Sequence, residues 1–179
     1  AAAFLRAGIG QGHTVALFLG NTPDHPICFF GALKAGARLV HLSPLDGERA
    51  LAHKLADSGA RTLVTSNLVG LAAAARRLLD QHLLDRLIVC DDESWGAAGN
   101  ALAPLPDHPA AIAWRDFVAG ATVPPAWPAI AADDIALLQY TGGTTGLPKG
   151  AMLSVANVEA TVGALTGAGG LLEPPAGPK

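Results

Sequence analysis

Short apolar runs recur at an even spacing along the first half of the chain. They begin near Thr14, Arg38, Thr62 and Arg86, about 24 residues apart. The segments between them are long enough for whole helices and carry no leucine-rich consensus, so alternating strands and helices explain the spacing better than a solenoid. The pattern therefore predicts an α/β fold with a parallel sheet flanked by helices.

The segments between the runs carry helical periodicity and helix boundary signals. Thr22 and Pro23 fit the cap and first-turn positions of one helix, which Gly36 ends. A second helix is predicted over residues 47–57, and Asn67 is predicted to cap a third. The apolar stripes of the three helices are Ile27, Phe29, Phe30 and Leu33; Leu51, Ala52, Leu55 and Ala56; and Leu68, Leu71, Ala75, Leu78 and Leu79.

The pattern weakens between residues 91 and 132, where glycine and proline are frequent and only Ile112–Val118 indicates a short helix. A short apolar run then resumes before Tyr140. We accordingly divide the chain into two parts. Residues 1–132 form a partial first α/β subdomain with a long surface excursion near 91–132. Residues 133–179 are expected to form a hairpin around a glycine-rich loop, the helix that follows it and a truncated tail.

Composition narrows the class of protein. The chain has 179 residues, of which 50% are hydrophobic and 15% charged, and it starts at Ala1 without methionine, so we expect a fragment whose apolar surfaces pack on missing chain. A net charge of -3 and 5% aromatic residues argue against nucleic-acid binding. No apolar run reaches the roughly 18 residues of a membrane span. Cys28 and Cys90 fit reduced thiols in a core.

The segment Thr141–Gly150 carries the candidate chemistry. It combines four glycines, three threonines and one lysine within ten residues. Glycines let successive backbone NH groups converge on an anion, the hydroxyls add donors or a metal ligand, and Lys149 brings a mobile positive charge. Pro148 stiffens the approach to that lysine. This mixture suits a polyphosphate.

Two better-known phosphate motifs do not fit. The GxxxxGK[ST] loop requires glycine before lysine, but Pro148 precedes Lys149 here and Gly150 follows it. The dinucleotide fingerprint GxGxxG is absent, and the glycines of residues 8–12 precede a strand instead of following one, so we interpret them as a connecting turn. The loop instead joins two strand-like segments, residues 133–140 and 150–154. Ser154 or Asn157 is positioned to cap a following helix.

This order of Leu138-Gln139-Tyr140, the loop, and Lys149 to Ser154 resembles the AMP-binding signature of the acyl-adenylate-forming enzymes. The double glycine Gly142-Gly143 is most similar to bacterial long-chain fatty acid CoA ligases. Upstream segments 14–23, 30–37 and 55–60 are similar to amino-terminal blocks of that branch. The resemblance covers most of residues 4–160.

The resemblance implies a partial amino-terminal domain of an adenylate-forming enzyme. Such an enzyme, an acid–thiol ligase, activates a carboxylate with MgATP to an acyl-adenylate and transfers the acyl group to coenzyme A. Thr141 would contact Mg²⁺, and Lys149 would screen the phosphate charge. The partners would be the fatty acid, ATP and coenzyme A, and the location cytoplasmic or peripheral at the inner membrane. The loop residues implied in nucleotide binding are Thr141, Gly142, Gly143, Thr144, Thr145, Gly146 and Lys149.

Several alternatives remain open at this stage. The resemblance places no catalytic residue in this segment, and the parts that relatives carry downstream are missing, so the piece should be inactive alone. An aryl or amino acid adenylating enzyme, or a truncated non-catalytic nucleotide-binding module, is also compatible with the loop. Relatives usually carry histidine where Val155 stands, so the role of that histidine is open here. The six histidines show no metal-ligand spacing, and Asp91-Asp92-Glu93 is interpreted as a solvated turn.

Overall fold

A computed structural model describes residues 1–96, 99–141 and 148–166 of the chain, with side chains through residue 163. The helices are α1 (Ala2–Arg6), α2 (Asp24–Lys34), α3 (Glu48–Ser58), α4 (Val69–Asp80), α5 (Trp114–Val118) and α6 (Val155–Thr166). The strands are β1 (Thr14–Phe18), β2 (Arg38–His41), β3 (Thr62–Ser66), β4 (Arg86–Cys90), β5 (Ala111–Ala113), β6 (Ile135–Thr141) and β7 (Lys149–Ser154). No helix in these ranges has the length and apolar character needed to cross a membrane.

The strands form one sheet in the order β5-β4-β3-β1-β2-β6-β7. All neighbouring pairs are parallel except β6 and β7, which form an antiparallel hairpin at one edge. The predicted parallel sheet is thereby confirmed, and β1 to β4 begin at the four residues where the apolar runs begin. The hairpin shares this sheet because β6 pairs with β2. The subdomain division at residue 132 stays a prediction.

Each face of the sheet buries its own hydrophobic core. On one face α3 and α4 pack with Leu51, Leu55, Leu78 and Leu79 onto alternate strand residues. On the other face α1, α2 and α5 pack onto the remaining strand residues, including those next to Cys28 and Cys90. Both cysteines are buried, as predicted, and burial together with their mutual contact raises the pKa of the Cys90 thiol. Helices on both faces explain why the central strands β1 and β3 are buried throughout.

The cap of α2 falls on Pro23 instead of the predicted Thr22. Three further local predictions are wrong. Asn67 does not cap α4, because its side chain instead bonds Asp91 Oδ1 at 2.8 Å and the NH of Asp92 at 2.9 Å. The turn predicted to be solvated is a 3₁₀ helix in which Asp92 is 4% exposed. The helix expected over residues 112–118 begins only at Trp114, since the residues before it pair with β4 as β5. In each case a contact between distant segments overrides the local signal.

Candidate phosphate-binding site

The β6–β7 hairpin brings the two ends of the predicted phosphate loop together. Thr141, the last residue of β6, pairs directly with Lys149, the first residue of β7. Facing residues of an antiparallel pair have Cβ atoms about 4.5–5.5 Å apart, so the hydroxyl and the ammonium stem lie side by side. We call this the loop end of the hairpin. The remaining predicted site residues, Gly142, Gly143, Thr144, Thr145 and Gly146, lie outside the described residues.

Strand alternation determines the face on which this pair lies. Leu137 and Leu153 belong to the core on the α2 side, and Thr141 and Lys149 follow them at even spacings along their strands. Their side chains therefore project toward the α2 side, and both residues are exposed. Within the described ranges Lys149 forms no ion pair. Its ammonium group is thus available to an anion.

The opposite face of the loop end rests on α3. His53 Nε2 lies 2.9 Å from the carbonyl oxygen of Pro148, the residue immediately before Lys149. The Tyr140 hydroxyl donates to Asp57 Oδ2 at 2.5 Å, one turn further along the same helix. These two bonds connect α3 to both strands of the hairpin. We call His53, Asp57, Tyr140 and the Pro148 carbonyl the α3 clamp.

Packing around the Tyr140 ring reinforces the α3 clamp. A Cβ atom placed on Gly150 would lie 3.1 Å from Tyr140 Cζ, so β7 approaches the ring closely at a position without a side chain. The Lys54 ammonium lies 5.8 Å from the ring centroid and pairs with Asp46 Oδ2 at 2.6 Å. Burial raises the pKa of the Tyr140 phenol, and the bond to Asp57 raises it further. Tyr140 therefore remains a protonated donor at neutral pH.

The other end of the hairpin has a separate structural role. Ser154 and Asn157 bond reciprocally: the NH of Asn157 donates to Ser154 Oγ at 3.3 Å, and the NH of Ser154 donates to Asn157 Oδ1 at 3.0 Å. This is a capping box in which asparagine takes the place of glutamate, and it confirms the predicted helix start. Val155 follows β7, whose six residues span about 17–20 Å. Val155 is therefore remote from the loop end.

An apolar groove of about 680 Å³ lies between α2 and α6. Phe30 and Leu33 of α2 face Val155 and Val158 of α6 across it, with Ile135 of β6 at its base. Phe30 is 65% exposed, an unusual value for a phenylalanine. The groove adjoins the capped end of the hairpin and belongs to a different part of the sheet edge from Thr141 and Lys149.

A histidine pair lies at the carboxyl end of β2 on the α2 side. The rings of His25 and His41 have centroids 4.9 Å apart, and Phe29 stacks on His41 at 5.5 Å. Burial lowers the pKa of His41, the charge of His25 lowers it further, and a hydrogen bond with Gln139 partly opposes them. The described residues hold no group of three or more His, Cys, Asp or Glu suited to a metal ion. Both histidines are half-buried, and the lowered pKa of His41 favours its neutral form.

Sequence reasoning identified the loop and missed the α3 clamp. His53 was considered only as a metal ligand, yet its partner Pro148 lies 95 residues away in the chain. The one available signal was the spacing of His53 and Asp57, which places both side chains on one face of α3. That spacing alone does not reveal which strand the helix face meets.

The sheet is mostly parallel and has a hairpin at one edge, and the loop end of that hairpin bears a hydroxyl and an ammonium group. These features indicate a nucleotide-dependent α/β enzyme domain as the class of protein. A family model described as "AMP-binding enzyme" matches residues 1–172. The chain belongs to this family.

Individual relatives agree with that assignment. A long-chain-fatty-acid–CoA ligase of Salmonella typhimurium is 36% identical over 176 residues, which cover 90% of this chain and 31% of the relative. The solved structure of a long-chain-fatty-acid–CoA ligase from Archaeoglobus fulgidus superposes with a TM-score of 0.69 at 26% identity, over 89% of this chain and 28% of that one. A benzoate CoA ligase from Burkholderia xenovorans, 23% identical, shares the fold with a TM-score of 0.69 over 91% of this chain and 28% of that one. The chain thus spans about a third of the length of its relatives.

Proposed function

We propose that this chain is the phosphate-binding part of an AMP-forming long-chain fatty acid CoA ligase. The observation that carries the proposal is the Thr141–Lys149 pair at the loop end of the hairpin, in a chain of the AMP-binding family. Acyl-CoA ligases named for fatty acids are among its relatives at 36% identity. Because the chain spans only 31% of such a relative, the reaction is proposed for the longer protein that contains it.

In the proposed reaction a carboxylate oxygen attacks the α-phosphorus of ATP, the bond to the bridging oxygen breaks, and pyrophosphate leaves with that electron pair. The thiol of coenzyme A then displaces AMP from the acyl-adenylate. Phosphoryl chemistry depends chiefly on positioning and on charge neutralisation. Lys149 would neutralise charge that accumulates on the departing pyrophosphate. Thr141, with the NH groups and hydroxyls of residues 142–146, would fix its oxygens.

Magnesium would enter this site together with ATP. Thr141 offers one exposed, neutral hydroxyl, which fits a hard cation that retains waters and phosphate oxygens as its other ligands. The ion would supply charge neutralisation at the β and γ phosphates. Since the described residues hold no acidic metal cluster, a carboxylate ligand would come from the remainder of the longer protein.

The identity of the acyl substrate is the most specific part of the proposal. The relative at 36% identity is named for long-chain fatty acids, which supports the same substrate here. An aryl acid is the second candidate, because the benzoate CoA ligase shares the fold. The remaining chain would supply the acyl pocket and further catalytic groups, so the 179 residues alone would not form acyl-adenylate. We place the protein in the cytoplasm, with peripheral contact at the inner membrane as its access to fatty acids.

The test is carboxylate-dependent exchange of pyrophosphate into ATP, measured on the full-length protein with a panel of acids. The proposal expects long-chain fatty acids to support the fastest exchange. Fastest exchange with aryl or amino acids would assign the runner-up function instead. ATP binding without exchange for any acid would indicate a non-catalytic nucleotide-binding module.

Lys149→Ala tests the residue on which the proposal depends. Loss of one positioned charged donor is expected to slow exchange about a hundredfold. The matched control is Arg76→Ala, which removes one positive charge from the surface of α4, where Arg76 pairs with Asp80. The control should retain the parent rate. An unchanged rate for Lys149→Ala would refute the assigned role.

A further inference from the structure

We propose that His53 is a positioning residue for the phosphate loop. His53 donates a hydrogen bond to the Pro148 carbonyl and thereby fixes the peptide that carries Lys149. The inference deepens the proposed function and rests on it. His53 lies on α3, on the opposite side of the hairpin from the Thr141–Lys149 pair, so it would act on the nucleotide only through the backbone.

The chemistry of the two partners fixes the direction of the bond. A carbonyl oxygen only accepts, so at 2.9 Å the Nε2 atom of His53 must carry the proton. Pro148 has no backbone NH, so the carbonyl is its one backbone group able to form a hydrogen bond. The hydrogen bond from His53 therefore restrains Pro148 through the one backbone group of this residue that can form a hydrogen bond. The next peptide bond leads directly to Lys149.

The position of His53 is itself well determined. Leu51 and Leu55 of α3 are each 1% exposed and fasten the helix to the sheet. The His53 ring lies edge-on to Tyr140, with centroids 6.4 Å apart, and Tyr140 is bonded to Asp57 on the same helix. Because His53 is held on a packed helix, its hydrogen bond fixes the position of the Pro148 carbonyl.

Removal of the bond should therefore misplace Lys149 without dismantling the fold. Displacements of about 1 Å in a positioned group cost up to about a hundredfold in rate. We expect His53→Ala to slow pyrophosphate exchange by about tenfold, because α3 and the β-ladder still hold the hairpin. His53→Gln should recover most of that loss, since its side-chain amide is also a donor.

The experiment separates the two half-reactions of the full-length protein. Pyrophosphate exchange reports adenylation, and transfer from preformed acyl-adenylate to coenzyme A reports the second step, which involves no pyrophosphate. The inference expects His53→Ala to lower the first about tenfold and leave the second and the unfolding temperature at the parent values. The matched control, His13→Ala, removes an exposed histidine from the turn before β1 and should change neither. That turn lies at the amino ends of the parallel strands, whereas the loop end lies at the carboxyl end of β6.

The outcomes distinguish the two proposals. A parent protein without exchange on any acid overturns the proposed function itself. An active parent with an unchanged His53→Ala rate overturns only the positioning role. A fall of both half-reactions together with a lower unfolding temperature would assign His53 to general stability and would also overturn the role, as would failure of His53→Gln to restore exchange.

Discussion

The two faces of the β6–β7 hairpin are built differently. On the α3 side, His53 donates a hydrogen bond to the Pro148 carbonyl, and the Tyr140 hydroxyl donates one to Asp57. The Tyr140 ring fills the space next to Gly150. On the α2 side, the loop end presents the exposed Thr141–Lys149 pair. Further along the hairpin, the same side borders an apolar groove.

The contrast shows how a hairpin at a sheet edge can have a fixed backbone and still leave side chains available to a ligand. Polar contacts on the α3 side hold the loop end of the hairpin, so Thr141 and Lys149 on the other face need not support the fold. A ligand-binding pair can then be exposed without costing stability. The predictions below test this division of labour, beginning with the largest expected effect.

Gly150→Val tests the close contact on the α3 side. Its Cβ atom would lie 3.1 Å from Tyr140 Cζ, and the bond to Asp57 restrains the ring from moving away. We expect a loss of about 1–3 kcal/mol in the free energy of unfolding, the usual cost of overpacking. Urea denaturation of the full-length protein measures it. The penalty should shrink in a Tyr140→Ala background, and an equal penalty in both backgrounds would contradict the contact.

Ser154→Ala tests the capped end of the hairpin. Loss of the two hydrogen bonds between the Ser154 hydroxyl and Asn157 is expected to destabilise the start of α6 by about 1 kcal/mol, although the backbone NH of residue 154 can still donate to Asn157 Oδ1. The amides of the first turn should then exchange with solvent about fivefold faster, as amide hydrogen exchange would show. Glu159→Gln, an exposed substitution further along α6, is the control. Unchanged exchange in Ser154→Ala would mean that the box does not stabilise the helix.

Acidification tests the half-buried histidine pair on the α2 side. Burial and the charge of His25 lower the pKa of His41 below 6.5, so below that pH the unfolded chain binds a proton that the folded chain resists. This contribution is complete above about pH 6.5 and is lost as the pH falls through the folded-state pKa. His41→Asn should therefore flatten the decline in stability between pH 6.5 and 5. An identical decline in the variant and the parent would contradict a neutral, half-buried His41.

Val155→His is the prediction with the smallest expected effect. It introduces the histidine that the resemblance implies at this position, which is separated from the loop end by the six residues of β7. We expect pyrophosphate exchange to change less than about twofold, because a neutral imidazole about 17–20 Å away does not act on the phosphates. A large gain in rate would place that position within reach of the nucleotide.

Regular elements could be predicted from the sequence, and contacts between them could not. Runs beginning at Thr14, Arg38, Thr62 and Arg86 mark strands because burial on both faces requires continuous apolar residues. The three-residue strand β5 was missed because it is too short to show a period and depends on pairing with β4. Asn67 has the chemistry of a cap, yet it bonds a turn 24 residues away.

The candidate site divides in the same way. The composition of the loop and its flanking strands predicted the hairpin, and the pairing of Thr141 with Lys149 follows from that hairpin. The α3 clamp required knowledge of which helix face lies beneath β6 and β7. His53 and Pro148 are 95 residues apart, and no local pattern joins them. Residues that support a site through contacts with its backbone are therefore the hardest to predict from the sequence.

The most direct test of the central claim is the structure of the full-length protein with MgATP bound. The account predicts that the β and γ phosphates lie at the loop end of the hairpin, with Lys149 Nζ within hydrogen-bonding distance, about 2.7–3.2 Å, of a phosphate oxygen. His53 should retain its bond to the Pro148 carbonyl in that complex. A triphosphate bound elsewhere, with Lys149 facing solvent, would contradict the account.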